Sequence, residues 1–180
     1  MNLCKKNCTC NHCKLCGCPS KIKAIDLCQV QQIPAPPTPA YGNFYQERRA
    51  TLQENEPMPW NGIRRTAGGI TLNPDTVTIE VAQAGDYYID YYVLVDFSLN
   101  TGFSAVMGVF VNGDEVNPIQ TRFAFQDFED DRNLCAPVAG GTIISIPAGG
   151  TVQLRNVQPS PITTCERPTL AASITLMKVS

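Results

Sequence analysis

Residues 86–97 (DYYIDYYVLVDF) constrain the fold more than any other stretch of the chain. A period of two places Tyr87, Ile89, Tyr91, Val93, Val95 and Phe97 on one face. Tyr88, Asp90, Tyr92, Leu94 and Asp96 fall on the other. The first face is apolar throughout and belongs in a core. The second mixes tyrosine with acid, as expected where a surface is wet or meets another subunit.

Further strands follow from the same pattern. Residues 104–111 read as a second strand and run into Asn112-Gly113, the preferred pair for a tight type I′ hairpin because both central residues need positive φ. Residues 115–120 are expected to return beside that strand. Residues 142–146 and 151–157 flank a Pro147–Gly150 loop and read as a second hairpin, and residues 169–179 as a closing strand. Shorter candidates are residues 41–46, 69–72 and 76–81. Prolines and glycines interrupt every candidate amphipathic helix, and there is no internal repeat. The fold class is therefore all-β, a two-sheet jelly-roll sandwich, with an extended irregular N-terminal arm.

The arm differs in chemistry from the rest. Seven of the nine cysteines lie in the first 28 residues: Cys4, Cys8, Cys10, Cys13, Cys16, Cys18 and Cys28. That stretch is polar and without hydrophobic period, so no packed core is expected in it. Residues 29–40 form a proline-rich spacer; Pro34, Pro36, Pro37 and Pro39 favour extended polyproline geometry over roughly 20–30 Å. Residues 41–180 make the head, long enough to fold around its own core. Lys5, Lys6, Lys14, Lys21 and Lys23 give residues 1–25 a charge of +5 with no acid; the whole chain is -2, so the remainder carries -7. No arginine or aromatic residue interleaves with these lysines, so nucleic-acid binding is not indicated. No segment reaches the ~20 apolar residues of a membrane span. The N-terminus lacks the apolar core of a secretory signal, so synthesis in the cytoplasm without one is expected.

The cysteine arm has two readings. Cys10, Cys13 and Cys16 with His12 could hold a soft metal through thiolates, although the crowding departs from the usual two-knuckle zinc spacing. Disulfide cross-linking is favoured by arithmetic: seven arm cysteines, or nine per chain, are odd numbers. Full oxidation then needs a partner outside the chain, unless free thiols remain. Cys135 and Cys165 lie in loop-like surroundings and read as an intradomain bridge, or as acceptors for an arm cysteine from a neighbour. No cofactor is expected.

The only histidine is in the arm, so the head offers no Ser-His-Asp or Cys-His constellation, and no catalytic residue is assigned. The acidic run 127–131 lacks the ligand alternation of a calcium loop and reads as solvated. Asn7-Cys8-Thr9 fits a glycosylation pattern by accident. Arg48-Arg49 and Arg64-Arg65 are too small to make an anion site. Gly68-Gly69 and Gly140-Gly141 read as turn glycines. Tyr88, Tyr92 and Phe103 could line a carbohydrate-binding surface, with packing between subunits the stronger reading.

Several motifs together carry a resemblance. Ala84-Gly85-Asp86-Tyr87-Tyr88-Ile89-Asp90-Tyr91 resembles the "A-G-x-Y-x-I-x-Y" strand of BclA-type C-terminal domains of bacterial spore surfaces. Val111-Asn112-Gly113 resembles that family's "V-N-G" hairpin, and Ile146-Pro147-Ala148-Gly149-Gly150 its "L-x-A-G-D" turn. Residues 171–179 are similar to its last strand, and residues 41–45 stand where its first strand opens. The resemblance covers residues 41–180 and implies a jelly roll of the tumour-necrosis-factor and complement type, a homotrimer, used as a non-enzymatic head on the spore surface or exosporium. The collagen-like stalk usual in such relatives is absent here, replaced by the cysteine arm and spacer. That substitution is similar to spore appendage fibres, whose subunits are joined by N-terminal connectors and disulfides. The expected function is a structural, pilus-like fibre subunit, polymerised head to tail and joined to neighbours, the coat or other spore-surface proteins. Docking by strand addition of residues 27–33 to a sheet edge is one route. Competing classes are a tethered glycan- or receptor-binding head and a thiolate metal-binding protein.

Overall fold

A computed structural model of the chain describes residues 38–98, 104–126, 135–165 and 170–180. Thr38–Ser180 is one compact unit. The arm cysteines Cys4 to Cys28, His12, all but the last three residues of the spacer, Phe103 and the acidic run 127–131 lie outside the described residues.

Among the described residues, thirteen strands and one helical turn follow in order: β1 (Tyr41–Gln46), β2 (Thr51–Leu52), β3 (Gly62–Ala67), β4 (Ile70–Leu72), β5 (Ile79–Val81), β6 (Gly85–Asp96), β7 (Ser104–Val111), β8 (Asp114–Glu115), α1 (Pro118–Thr121), β9 (Phe123–Gln126), β10 (Cys135–Ile146), β11 (Gly150–Asn156), β12 (Ile162–Thr163) and β13 (Ala172–Lys178). All pairings are antiparallel. One sheet has the order β10-β6-β13-β1-β3, the other β4-β5-β11-β7-β8 with β9 also on β7, and β12 pairs with β2 in a small third sheet. The two large sheets stack as a jelly-roll sandwich.

The alternation in β6 is realised as expected. Tyr87, Ile89, Tyr91, Val93, Val95 and Phe97 are buried and meet Met107, Val109, Val152 and Leu154 from the facing sheet in one core. Asn112 and Gly113 have φ of 55° and 90°, the tight turn that the Asn-Gly pair demands. The expected return strand 115–120 is only the two-residue β8. Asn117 takes φ 20° and Pro118 opens α1, so the chain turns away from β7. The strand expected from residue 76 begins only at Ile79. Thr76 is at positive φ, and the Asp75 carboxylate accepts the Val77 and Thr78 N–H groups (3.0 and 2.9 Å), capping a turn instead.

Gly140 and Gly141 are not turn glycines; they lie inside β10. Gly140 is the register partner of Tyr91, and a side chain there would occupy the volume of the Phe123 ring. That ring packs edge-on against Tyr91, with centroids 5.7 Å apart at 77°. The Tyr91 hydroxyl crosses the core to the other sheet. It accepts from the Phe123 N–H (3.2 Å) and can donate to Met107 O (2.9 Å) or Thr121 O (3.1 Å). Burial pushes its pKa well above the ordinary tyrosine value, so it remains a donor at any physiological pH.

Tyr91→Phe keeps the ring but strands the part-buried Phe123 N–H and a buried carbonyl. We expect a loss of about 1–3 kcal/mol in urea-induced unfolding, with the m-value unchanged. An unchanged unfolding midpoint would show that the hydroxyl ties nothing together.

Candidate self-association face and disulfide

The outer faces of the two sheets differ. On β4-β5-β11-β7 the outward row Thr71, Glu80 and Thr151 is polar. The large apolar group beside it, Phe110, is only 7% exposed because the Arg155 guanidinium covers its ring at 4.6 Å.

Among the described residues, none covers the outer face of β10-β6-β13-β1 in this way. Register brings Ile143 opposite Tyr88, Tyr88 opposite Met177, and Met177 opposite Tyr41. This row crosses four strands, with Ile143 59%, Met177 48% and Tyr41 37% exposed. A second row runs Ala139, Tyr92, Ser173, Tyr45 and Gly62. The tyrosines lie along the sheet: the Tyr88 hydroxyl sits over Gly141 and the Tyr45 ring over Gly62, space that a β-carbon would fill. Arg64 stacks on Tyr45 at 5.6 Å. Between the rows runs a polar one, Gly141, Asp90, Thr175, Asn43 and Arg65. The Asn43 Nδ2 donates to Thr175 Oγ1 (2.7 Å), so this row is ordered within the sheet. Tyr88 and Tyr92 were visible as candidates in the sequence. Tyr41, Ile143 and Met177 were not, because only register brings them together.

At one end of this sheet Asp86 accepts from Ser145 and Ser180 and holds the C-terminal residues to β10. The hydroxyl of Ser145, then that of Ser180, lowers its pKa below the ordinary 3.8. A carboxylate depressed in the folded state stabilises above its unfolded pKa and loses that contribution as pH falls through the lowered value. The thermal-midpoint deficit of Asp86→Asn should therefore be present at pH 6 and shrink as pH falls below the ordinary 3.8. A deficit independent of pH would mean that the carboxylate charge is not what holds this end.

At the other end Cys135 and Cys165 are joined, with Cα atoms 6.2 Å apart. Cys135 was expected in a loop, but it opens β10 opposite Asp96 and is exposed. Cys165 is 2% exposed. Its N–H donates to Leu94 O (2.8 Å), beside the Val95–Thr164 bridge, and Thr164 N–H donates to Ala50 O (2.8 Å). The intradomain reading is thus the pairing found, and it clamps the 162–165 segment to the β6–β10 corner. Replacing both cysteines by serine should cost about 3–4 kcal/mol, since the closed loop spans a sequence separation of 30. Calorimetry on protein kept in reductant-free buffer reads this directly; a midpoint equal to wild type would overturn it.

Elsewhere, Gln46, Arg48, Arg49, Leu52, Glu56 and Pro59 help line an open cleft of about 340 Å³. Arg49 sits 3.6 Å from Asp96, and Glu56 accepts the Gln53 N–H (2.7 Å). The cleft places no nucleophile beside a base. Among the described residues no group of three His, Cys, Asp or Glu side chains converges as a metal site. The Cys10, Cys13, Cys16 and His12 set lies outside them. Among the described residues, no helix is long and apolar enough to cross a membrane.

No protein-family model matches the sequence, and no curated protein matches it. Solved structures do. The Eiger TNF of S. frugiperda is similar at a TM-score of 0.61 and 12% identity, over 80% of this chain and 94% of that one. The globular domain of zebrafish complement 1qA is similar at 0.56 and 11% identity, over 79% and 98%. At these identities the likeness is one of fold: the head has the jelly roll of TNF and C1q globular domains.

Proposed function

We propose that this chain is a structural subunit of a spore-surface layer or appendage fibre. Its head forms a homotrimer through the outer face of the β10-β6-β13-β1 sheet, and its arm joins neighbouring units through disulfides. The asymmetry of the two outer faces carries the reading. On one sheet Arg155 covers Phe110; the other leaves Tyr41, Ile143 and Met177 in an exposed row. Monomeric soluble proteins rarely leave such a row uncovered. A second copy is the occupant at hand in a homomeric assembly.

The trimer and the spore setting rest on the sequence resemblance and on the TNF- and C1q-like fold. The cross-linking rests on the arm. With Cys135 and Cys165 paired to each other, seven cysteines per chain remain, still an odd number. The outer surface of a spore is the location this reading gives, and an enzymatic role is not part of it. A glycan-binding head is the second reading, favoured by the tyrosines flanking Asp90 and Asn43 on that same face.

The test uses the full chain. Sedimentation equilibrium under reductant should give a trimer mass, and Tyr88→Lys/Met177→Lys should give folded monomers. Negative-stain microscopy without reductant should show connected assemblies that separate when reductant is added. A wild-type monomer in reductant, or discrete heads under both conditions, would refute the structural reading. Saturable binding on a glycan array, lost with Asp90→Ala, would favour the second.

A further inference from the structure

We infer that Asp90 of one subunit pairs with Arg65 of the next across the self-association face, and that this ion pair sets the register of the contact. The inference rests on the homotrimer proposed above and names the side chains that fix its geometry.

The charges on this face are few, and most are already engaged. Asp86 accepts from Ser145 and Ser180. Arg64 lies over the Tyr45 ring. Asp90 and Arg65 are exposed, and among the described residues neither side chain makes a hydrogen bond or an ion pair. Register places Gly141 on one side of Asp90 and Thr175 on the other. Gly141 has no side chain to offer, and the Thr175 hydroxyl already accepts from Asn43 at 2.7 Å.

The two charges do not satisfy each other within one chain. They stand in the same row, with Thr175 and Asn43 between them. Three interstrand steps separate their backbones by roughly 14 Å. Charges exposed to physiological salt are screened beyond about 8 Å. In the free head water therefore solvates both. Covering the face removes that water, and a carboxylate buried without a cation or donor is strongly unfavourable.

This pattern selects the occupant. An acidic partner answers Arg65 and leaves Asp90 without a cation. A basic partner does the reverse, and an uncharged surface supplies neither counter-charge. A second copy of the same face carries both signs at the same spacing. Around a three-fold axis each subunit gives its Asp90 to one neighbour and its Arg65 to the other, so every charge is paired. The rows of tyrosine and aliphatic side chains on either side then exclude water from the pair.

The test uses the full chain under reductant, with association followed by sedimentation equilibrium and folding by circular dichroism. Asp90→Arg sets two guanidinium groups against each other, and Arg65→Asp two carboxylates. Each should weaken association by about tenfold or more while the β-sheet spectrum stays that of wild type. The double variant Asp90→Arg/Arg65→Asp restores opposite signs and should associate within about threefold of wild type. A fold defect in either single variant cannot produce that rescue. Mixing the two single variants in equal amounts counts the subunits. Around three chains one like-charged contact always remains, so association should recover only in part.

Single variants that associate like wild type, or a double variant as weak as the single ones, overturn the ion pair and leave the trimer standing. Full recovery of the mixture as a two-chain species overturns the three-fold order. A wild-type chain that stays monomeric overturns both the pair and the trimer.

Discussion

Strand β6 has to satisfy two environments at once, and most of the head is arranged around that requirement. It is hydrogen-bonded on both sides, to β10 and to β13, so its backbone is fully committed. Its side chains are then divided by the pleat. Tyr87, Ile89, Tyr91, Val93 and Val95 go to the core, while Tyr88, Asp90, Tyr92 and Leu94 go outward. A slip of one residue would exchange the two sets, putting Asp90 in the core and Ile89 outside. The Tyr91 hydroxyl fixes the register from within, because its bonds to Met107, Thr121 and Phe123 exist at one position of the strand only. Gly140 fixes it again from the next strand, since the space it leaves beside Tyr91 is the one that Phe123 fills.

The cysteines divide by task. The head buries a core that includes Trp60, Phe44, Ile89 and Leu154, and uses two cysteines, both at one corner where short strands meet. A sandwich of this size has no need of more. Seven further cysteines outside it therefore concern something other than holding the head together. On the proposed reading, the head folds around its own core and the arm forms its bonds separately.

How much of this was legible in the sequence follows from where the information sits. Strands β6 and β13 carry their alternation within themselves, β7 is an apolar run that ends at a turn signal, and the Asn112-Gly113 turn carries its own φ requirement. Strand β3 was missed because it is an edge strand: Ile63, Arg64, Arg65 and Thr66 are all exposed, so no inward period marks it. The first half of β10 (Cys-Ala-Pro-Val-Ala-Gly-Gly) was missed for another reason. Its small residues are dictated by Phe123 and Tyr88, which reach over it from other strands. Asp75 and Asn117 shortened two expected strands through turn chemistry that outweighs β propensity. The outer face was half legible. Tyr88, Asp90 and Tyr92 come from one strand, but Tyr41, Ile143 and Met177 come from three others and meet only through register.

The polar row through the middle of that face has a consequence for how anything can cover it. Asp90 is exposed and lies between two rows of tyrosine and aliphatic side chains. A surface that buried it without offering a hydrogen-bond donor or a cation would leave a desolvated charge, at a cost of several kcal/mol. The apolar rows alone would accept a partner in many translations along the sheet, because hydrophobic burial is not directional. Asp90 removes most of them. Arg65 at the far end of the same row adds a charge of the opposite sign, so a covering surface must match both the spacing and the sign of the pair. The tyrosines then supply area and the polar row supplies the register. That division is what a subunit needs if it is to repeat the same contact many times with one geometry.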